Sequence, residues 1–334
     1  MKKALIIALL LSASSGHAQD VHFSQFFLSP LFQNPAHTGQ FDADYRFVFN
    51  QRTQWRSITE PYNTWALAAD AKDVMGKENI HAGILLFRDA AGDSPLRTIR
   101  VMPSGAHTFA ATDDSTAFIT LGLQVGFTQK YLDFSRLRFD NQYNGQVFDP
   151  SAATGESFSN DKSTYLDANI GATVKHELSR DIFYTAGMAL FHVNRPKESF
   201  LNDAAVKLDQ RFVIHGIGTY RFDRTWSALP AVQFQMQGKY RELIVGGMVR
   251  RSIIEKYGLK RALYVGAFGR TRDAAYLVTA LDYDQWKVGV SYDINLSDLK
   301  TASRSRGGFE FSVAYIMNYF KSVYEEHRFC PDFL

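Results

Sequence analysis

Histidines, carboxylates and serines are the side chains from which an active site could be built. His22, His81, His107, His176, His192 and His215 are dispersed, and none forms the His-Glu-x-x-His pair that sets two metal ligands on one helical face. The chain has neither a Gly-x-Ser-x-Gly elbow nor a Gly-x-x-x-x-Gly-Lys-Ser/Thr phosphate loop, so the local signatures of a nucleophilic serine and of a phosphate cradle are both missing. A dispersed Ser-His pair, as in a barrel phospholipase, is the remaining enzymatic arrangement, because triads are defined by geometry and not by order. The expectation is a chain with no catalytic residues, no metal ligands and no cofactor.

Residues suited to gripping another protein are more plentiful. The stretch 130–163 holds Arg136, Arg138, Tyr143 and Asn144, and 194–208 holds Pro196 and Phe200. The first reads as a gripping surface or as an ordinary solvated outer loop, and the second as a further outer contact. The stretch 251–260 carries Arg251, Lys256 and Lys260, and Arg261 follows. It reads as a solvated turn with a positive flank near anionic headgroups or as a docking site.

These segments need a scaffold. Met1-Lys2-Lys3, apolar Ala4 to Leu11 and Ser15-Gly16-His17-Ala18 have the form of a cleaved signal peptide, residues 1–18, and imply export. Without Lys2 and Lys3, 35 of the 37 basic residues remain against 34 acidic ones, which gives no general attraction to nucleic acid. The single cysteine, Cys330, forbids an internal disulfide and lies far from any site of N-terminal acylation. Beyond the signal no run approaches the roughly twenty apolar residues of a membrane helix.

Strand periodicity is the dominant pattern. Over 116–128, Ala117, Ile119, Leu121, Leu123, Val125 and Phe127 share one face, while Thr120, Gly122, Gln124, Gly126 and Thr128 share the other. One face suits lipid and the other a polar lumen. Alternation of this kind, with 27 Phe and 16 Tyr to supply interfacial rings, predicts an all-β, transmembrane, antiparallel up-and-down barrel of about fourteen strands in the outer membrane. The barrel spans 42–319. Its connections alternate: 130–163, 194–208 and 295–306 are long, whereas 177–181, 223–227 and 283–285 are short.

Fourteen strands lie between a side-chain-filled barrel and an open pore, so something should occupy the lumen. Inward Gly83, Gly122, Gly126 and Gly171 either make room for an occupant or relieve strand crowding. The candidate occupant is 19–41, where Phe23, Phe26, Phe27, Leu31 and Phe32 are interrupted by Pro30 and Pro35, which argue against a long regular element. This segment reads as a periplasmic plug or strap, with partner docking as the alternative. The C-terminal periplasmic tail, 320–334, with Cys330 and Phe333, reads as a packed extension or as an interaction motif.

The chain resembles the PorP/SprF family of type IX secretion and gliding-motility outer-membrane proteins. The resemblance rests on Gln19-Asp20-Val21-His22-Phe23-Ser24-Gln25 with Asn34-Pro35-Ala36 and Gly39, on Asn50-Gln51-Arg52-Thr53-Gln54-Trp55, on Phe191-His192-Val193-Asn194-Arg195-Pro196, on Arg211-Phe212-Val213-Ile214-His215-Gly216, and on the closing Cys330-Pro331-Asp332-Phe333. Leu334 after that ending departs from the pattern. The resemblance implies binding of a type IX-secreted protein through its C-terminal sorting domain, which anchors or escorts cargo such as an adhesin. Alternatively, it implies a link to periplasmic secretion, motor or peptidoglycan-associated components. A passive channel is the third reading, and outer-membrane lipid is a partner in all three.

Overall fold

The computed structural model describes residues 20–54, 60–92, 96–134, 137–155, 160–200, 203, 205–256, 259–271, 273–297 and 306–318. The signal peptide, the tail 320–334, Arg136, Cys330 and Phe333 lie outside the described residues.

Fourteen strands follow one another: β1 (Tyr45–Gln54), β2 (Tyr62–Ala71), β3 (Ile80–Ala91), β4 (Leu96–Ala110), β5 (Ala117–Tyr131), β6 (Lys162–Glu177) and β7 (Ile182–Phe191), then β8 (Arg211–Arg221), β9 (Trp226–Gln237), β10 (Tyr240–Lys256), β11 (Leu259–Arg270), β12 (Ala274–Tyr283), β13 (Trp286–Asn295) and β14 (Arg306–Met317). Each pairs antiparallel with its sequence neighbours, and β1 pairs with β14 to close the barrel. Closure is obligatory in hydrocarbon, where an open sheet edge would leave its backbone donors and acceptors without water.

Alternation decides which way each side chain points. On β5, Leu121, Leu123, Val125 and Phe127 face outward while Thr120, Gln124 and Thr128 are buried inside. On β11 and β12, Leu263, Val265 and Leu277 face outward, opposite buried Tyr264 and Tyr276. At one end Tyr45, Tyr220, Trp226, Tyr283 and Trp286 project outward, the girdle expected at a membrane interface.

The strand ends that flank 132–161, 192–210 and 296–305 lie at the opposite end, as do those that flank 238–239 and 271–273. The connection expected at 251–260 needs correction. β10 continues to Lys256 and β11 begins at Leu259, so Arg251 pairs with Leu263 inside the sheet. A bulge between Ser252 and Ile254 interrupts the two-residue period, and this break, together with adjacent Arg250 and Arg251, conceals the strand from a reading of alternation.

Leu123 lies halfway along the lipid face of β5. Leu123→Arg should destabilise the barrel by about 2–4 kcal/mol, whereas Tyr220→Arg at the girdle should cost about 0–1 kcal/mol. Urea unfolding in lipid vesicles measures both.

Candidate functional site

Residues 20–41 run along the lumen, from Asp20 near the long-connection end to Phe41 at the other. Pro30 and Pro35 break the segment into the helical turns Phe26–Leu28, Pro30–Gln33 and Pro35–His37. Turns this short leave most backbone groups without internal partners. Wall side chains supply them. The Ser24 and Gln25 N–H groups donate to the two Glu310 carboxylate oxygens at 2.7 and 2.8 Å, and the Gly39 N–H donates to Asp70 at 2.8 Å. In the other direction Asn50 donates to the Leu28 carbonyl at 3.0 Å, Gln124 to that of Leu31 at 2.9 Å, Arg46 to that of His37 at 2.9 Å, and Arg52 to that of His22.

Apolar contacts fix the remainder. Phe23 meets Phe32 edge-on at 5.1 Å, and Phe32 stacks on Phe87 of β3 at 5.3 Å. Phe27 stacks on Phe268 of β11 at 5.9 Å, and Phe26 approaches the same ring at 6.0 Å. Asn34 accepts from the Ala36 N–H at 2.9 Å and donates to the Ala172 and Met188 carbonyls at 3.2 and 3.1 Å. The inward glycines divide between the two explanations open to them. A Cβ on Gly122 would sit 2.3 Å from Ala36 N, and one on Gly171 would sit 1.9 Å from Asn34 Oδ1, so these two make room for the segment. Gly83 and Gly126 are crowded by neighbouring strands instead.

Buried charges form linked groups around the segment. Arg46 and Asp70 pair at 2.7 Å, and Arg52 meets Asp293 at 2.9 Å. Arg270 reaches Asp293 at 3.3 Å and donates to the Ser24 hydroxyl at 2.8 Å. Asp20 contacts Arg100 at 2.8 Å and His192 Nε2 at 2.6 Å, while His192 Nδ1 lies 2.8 Å from Asp167. Both His192 nitrogens face carboxylates, an arrangement that favours the doubly protonated ring. Burial opposes charge on His192, but Asp20 and Asp167 outweigh it and raise its pKa above the usual 6.5. Burial likewise pushes the Asp20 carboxyl up, yet Arg100, His192 and Arg211 hold it well below 3.8.

The partner-binding candidates therefore fall into three places. Phe23, Phe26, Phe27, Asn34 and Pro35 belong to the lumen segment. The second place is the long-connection end. There Arg138 stands 5.1 Å over Phe148, Tyr143 is exposed and bridged to Phe148, and Asn144 accepts from the Gln146 and Val147 N–H groups. Phe200 meets Phe134 edge-on at 6.3 Å, the Lys130–Glu198 ion pair lies beside them, and Pro196 is buried. These contacts join the described parts of 132–161 and 192–210 into one surface. The third place is the far end, where Lys256 and Lys260 are exposed on the β10–β11 hairpin and Arg261 pairs with Asp284 at 3.3 Å. A cavity of about 410 Å³ also opens at that end, lined by His37, Phe41, Lys72, Phe118, Lys175 and His215 among others.

The wall residues that hold the segment, Arg46, Arg52, Asp70, Arg100, Asp293 and Glu310, escaped the sequence reading. Their trace along the strands was a polar or charged side chain at inward positions, as with Arg46, Asn50 and Arg52 on β1.

A family model described as the type IX secretion system membrane protein PorP/SprF matches residues 15–315. The chain belongs to the PorP/SprF family. No curated protein matches it. Among solved structures, this PorP/SprF chain is similar to the Ralstonia pickettii toluene transporter TbuX, with a TM-score of 0.55, 11% identity, and 88% of this chain and 94% of that one covered. The Pseudomonas putida toluene transporter TodX gives 0.52, 11%, 91% and 96%. At such identity the likeness establishes an outer-membrane barrel fold and nothing further.

Gly122→Leu should force the segment off the wall, because backbone and not a flexible side-chain end stands in the way. The readouts are new ion conductance in planar bilayers and protease cleavage within 20–41. Gly105→Ala, with no atom nearer than 3.9 Å, should leave both unchanged. The Asp20–His192 contact should be strongest between pH 3.8 and 6.5, the ordinary values of the two groups. It weakens as pH rises through the raised His192 pKa, because stability gained from a raised pKa is lost on deprotonation, and as pH falls through the depressed Asp20 value. Protease protection of the segment against pH, compared with His192→Gln, measures this.

Proposed function

We propose that this PorP/SprF barrel is a non-enzymatic component of the outer membrane that binds a type IX-secreted protein, through its C-terminal sorting domain, and anchors or escorts it at the cell surface. The observation that carries this reading is the occupied lumen: the polar groups of the inner wall are engaged with the chain's own residues 20–41. Recognition then falls to the ends of the barrel. The long-connection end offers exposed Arg138, Tyr143 and Val147 on a surface tied together through Phe134 and Phe200, and adaptable loops on a rigid scaffold are where protein ligands are commonly met. An even barrel keeps its short turns on the periplasmic side, which directs this surface outward.

A second reading, a structural link to the periplasmic secretion or gliding motor, is favoured by one observation. The β10–β11 hairpin presents Lys256 and Lys260 at the short-turn end, where periplasmic or peptidoglycan-associated components would be met.

Site-specific photo-cross-linkers at Tyr143 and at Lys256, introduced in the native outer membrane and followed by mass spectrometry, separate the readings. Cargo linked at Tyr143 through its C-terminal domain is the expected result. Periplasmic components captured at Lys256, with nothing at Tyr143, would favour the motor link. Conductance from the unaltered barrel would point instead to a channel.

A further inference from the structure

His22 stands out among the buried polar residues of the lumen. It is 9% exposed, and neither ring nitrogen has a hydrogen-bond partner among the described residues. Its position is nevertheless tightly set. Arg52 donates to its carbonyl, Phe23 beside it is packed on Phe32, and Ser24 is bound by Glu310 and Asp293. An imidazole held so firmly, yet without a partner, has a defined direction and an open coordination valence.

That direction is toward carboxylates. His22 Nε2 lies 3.6 Å from Glu242 Oε2, and ligand atoms of His22, Glu242 and Asp273 all lie within 4.8 Å of one another. A divalent first-row ion bound at about 2.0–2.2 Å to nitrogen and oxygen donors places tetrahedral neighbours about 3.4 Å apart, so the His22–Glu242 spacing is close to that edge already. Glu242 is oriented by outer partners, since Gln235 donates to one oxygen at 2.8 Å and Tyr240 to the other at 2.7 Å. Such partners commonly support ligating carboxylates. Asp273 stands at the barrel mouth with its side chain 40% exposed, which supplies an entry path.

The local charge is compatible with a cation. Arg52 and Arg270 face three carboxylates, those of Glu242, Asp273 and Asp293. Arg211 also faces the His22 ring and is engaged with Asp20 at 4.0 Å. Arg270 shares Asp273 at 2.8 Å but has Asp293 and Ser24 as further partners, so it can yield that carboxylate without losing its own compensation.

We propose that His22, Glu242 and Asp273 form a binding site for a divalent first-row transition-metal ion of the zinc type, in which the cation clamps the start of the lumen segment to β10 and to the turn before β12. One imidazole and two carboxylates suit zinc or manganese better than calcium, which takes oxygen donors. The site does not depend on which partner the barrel binds.

The test uses the folded full-length barrel in detergent, stripped with a chelator and titrated calorimetrically with Zn²⁺ alone, with Ca²⁺ as the control. The expected result is one equivalent of Zn²⁺, with His22→Ala abolishing the stoichiometric event and Asp273→Asn weakening affinity about tenfold or more. Heat-modifiable migration on gels verifies that each variant is folded, and Asp273→Asn, at the exposed mouth, decides the matter if His22→Ala does not fold. Bound Zn²⁺ should also slow protease cleavage within 20–41. Absence of an equivalent of bound Zn²⁺, or Zn²⁺ binding equally to His22→Ala and Asp273→Asn, overturns the proposal. In that case the ring is satisfied by water in the adjoining void of about 20 Å³ lined by His22, Arg211, Gln233 and Gln235, which is large enough for one molecule.

Discussion

A backbone that cannot satisfy its own hydrogen bonds runs through the centre of this barrel. Segment 20–41 is broken by Pro30 and Pro35 into turns of three or four residues, and most of it is buried inside the barrel. A buried peptide group left without a partner costs about 1–3 kcal/mol, so the segment is stable there only because inward side chains of β1, β2, β5 and β14 act as its ladder. The identity of those inward residues, the two glycines that admit Pro35 and Asn34, and the arginines that reach plug carbonyls all follow from that need.

Each strand consequently serves two solvents at once. Its outward residues meet lipid, where Leu121, Leu123 and Leu277 contribute apolar surface. Its inward residues meet a protein segment instead of a water channel, which explains why Arg52, Glu242 and Glu310 are almost fully buried in a barrel of this size. The interior is closer to the core of a soluble protein, with polar groups paired as well as packed, than to the lining of a porin.

One buried ion pair and one hydrogen bond lie across the closing seam and constrain it. Arg52 on β1 contacts Asp293 on β13, and Asn50 on β1 donates to Ser312 on β14 at 2.8 Å. Breaking such a pair by removing one partner leaves an uncompensated charge at a cost of about 3–5 kcal/mol, and a slip of one residue in strand register would carry these groups to the lipid face. Segment, seam and register are thus mutually dependent.

The sequence alone determined the fold class and the strand count, because a period of two residues is written directly in segments such as 116–128 and a membrane barrel must alternate to face lipid and lumen. It also carried the family, through motifs spread along the chain, and it marked 19–41 as irregular through its prolines. It did not reveal that β10 runs on to Lys256, because the bulge at Ser252 breaks the period on which the reading relied. Nor did it reveal the site inside the barrel. Ser24 and Glu310, or His22 and Glu242, are separated by hundreds of residues of chain, and their meeting depends on the closure of fourteen strands around one segment. Only the tertiary structure decided those contacts, since local periodicity says which face a side chain takes and nothing about what stands opposite it.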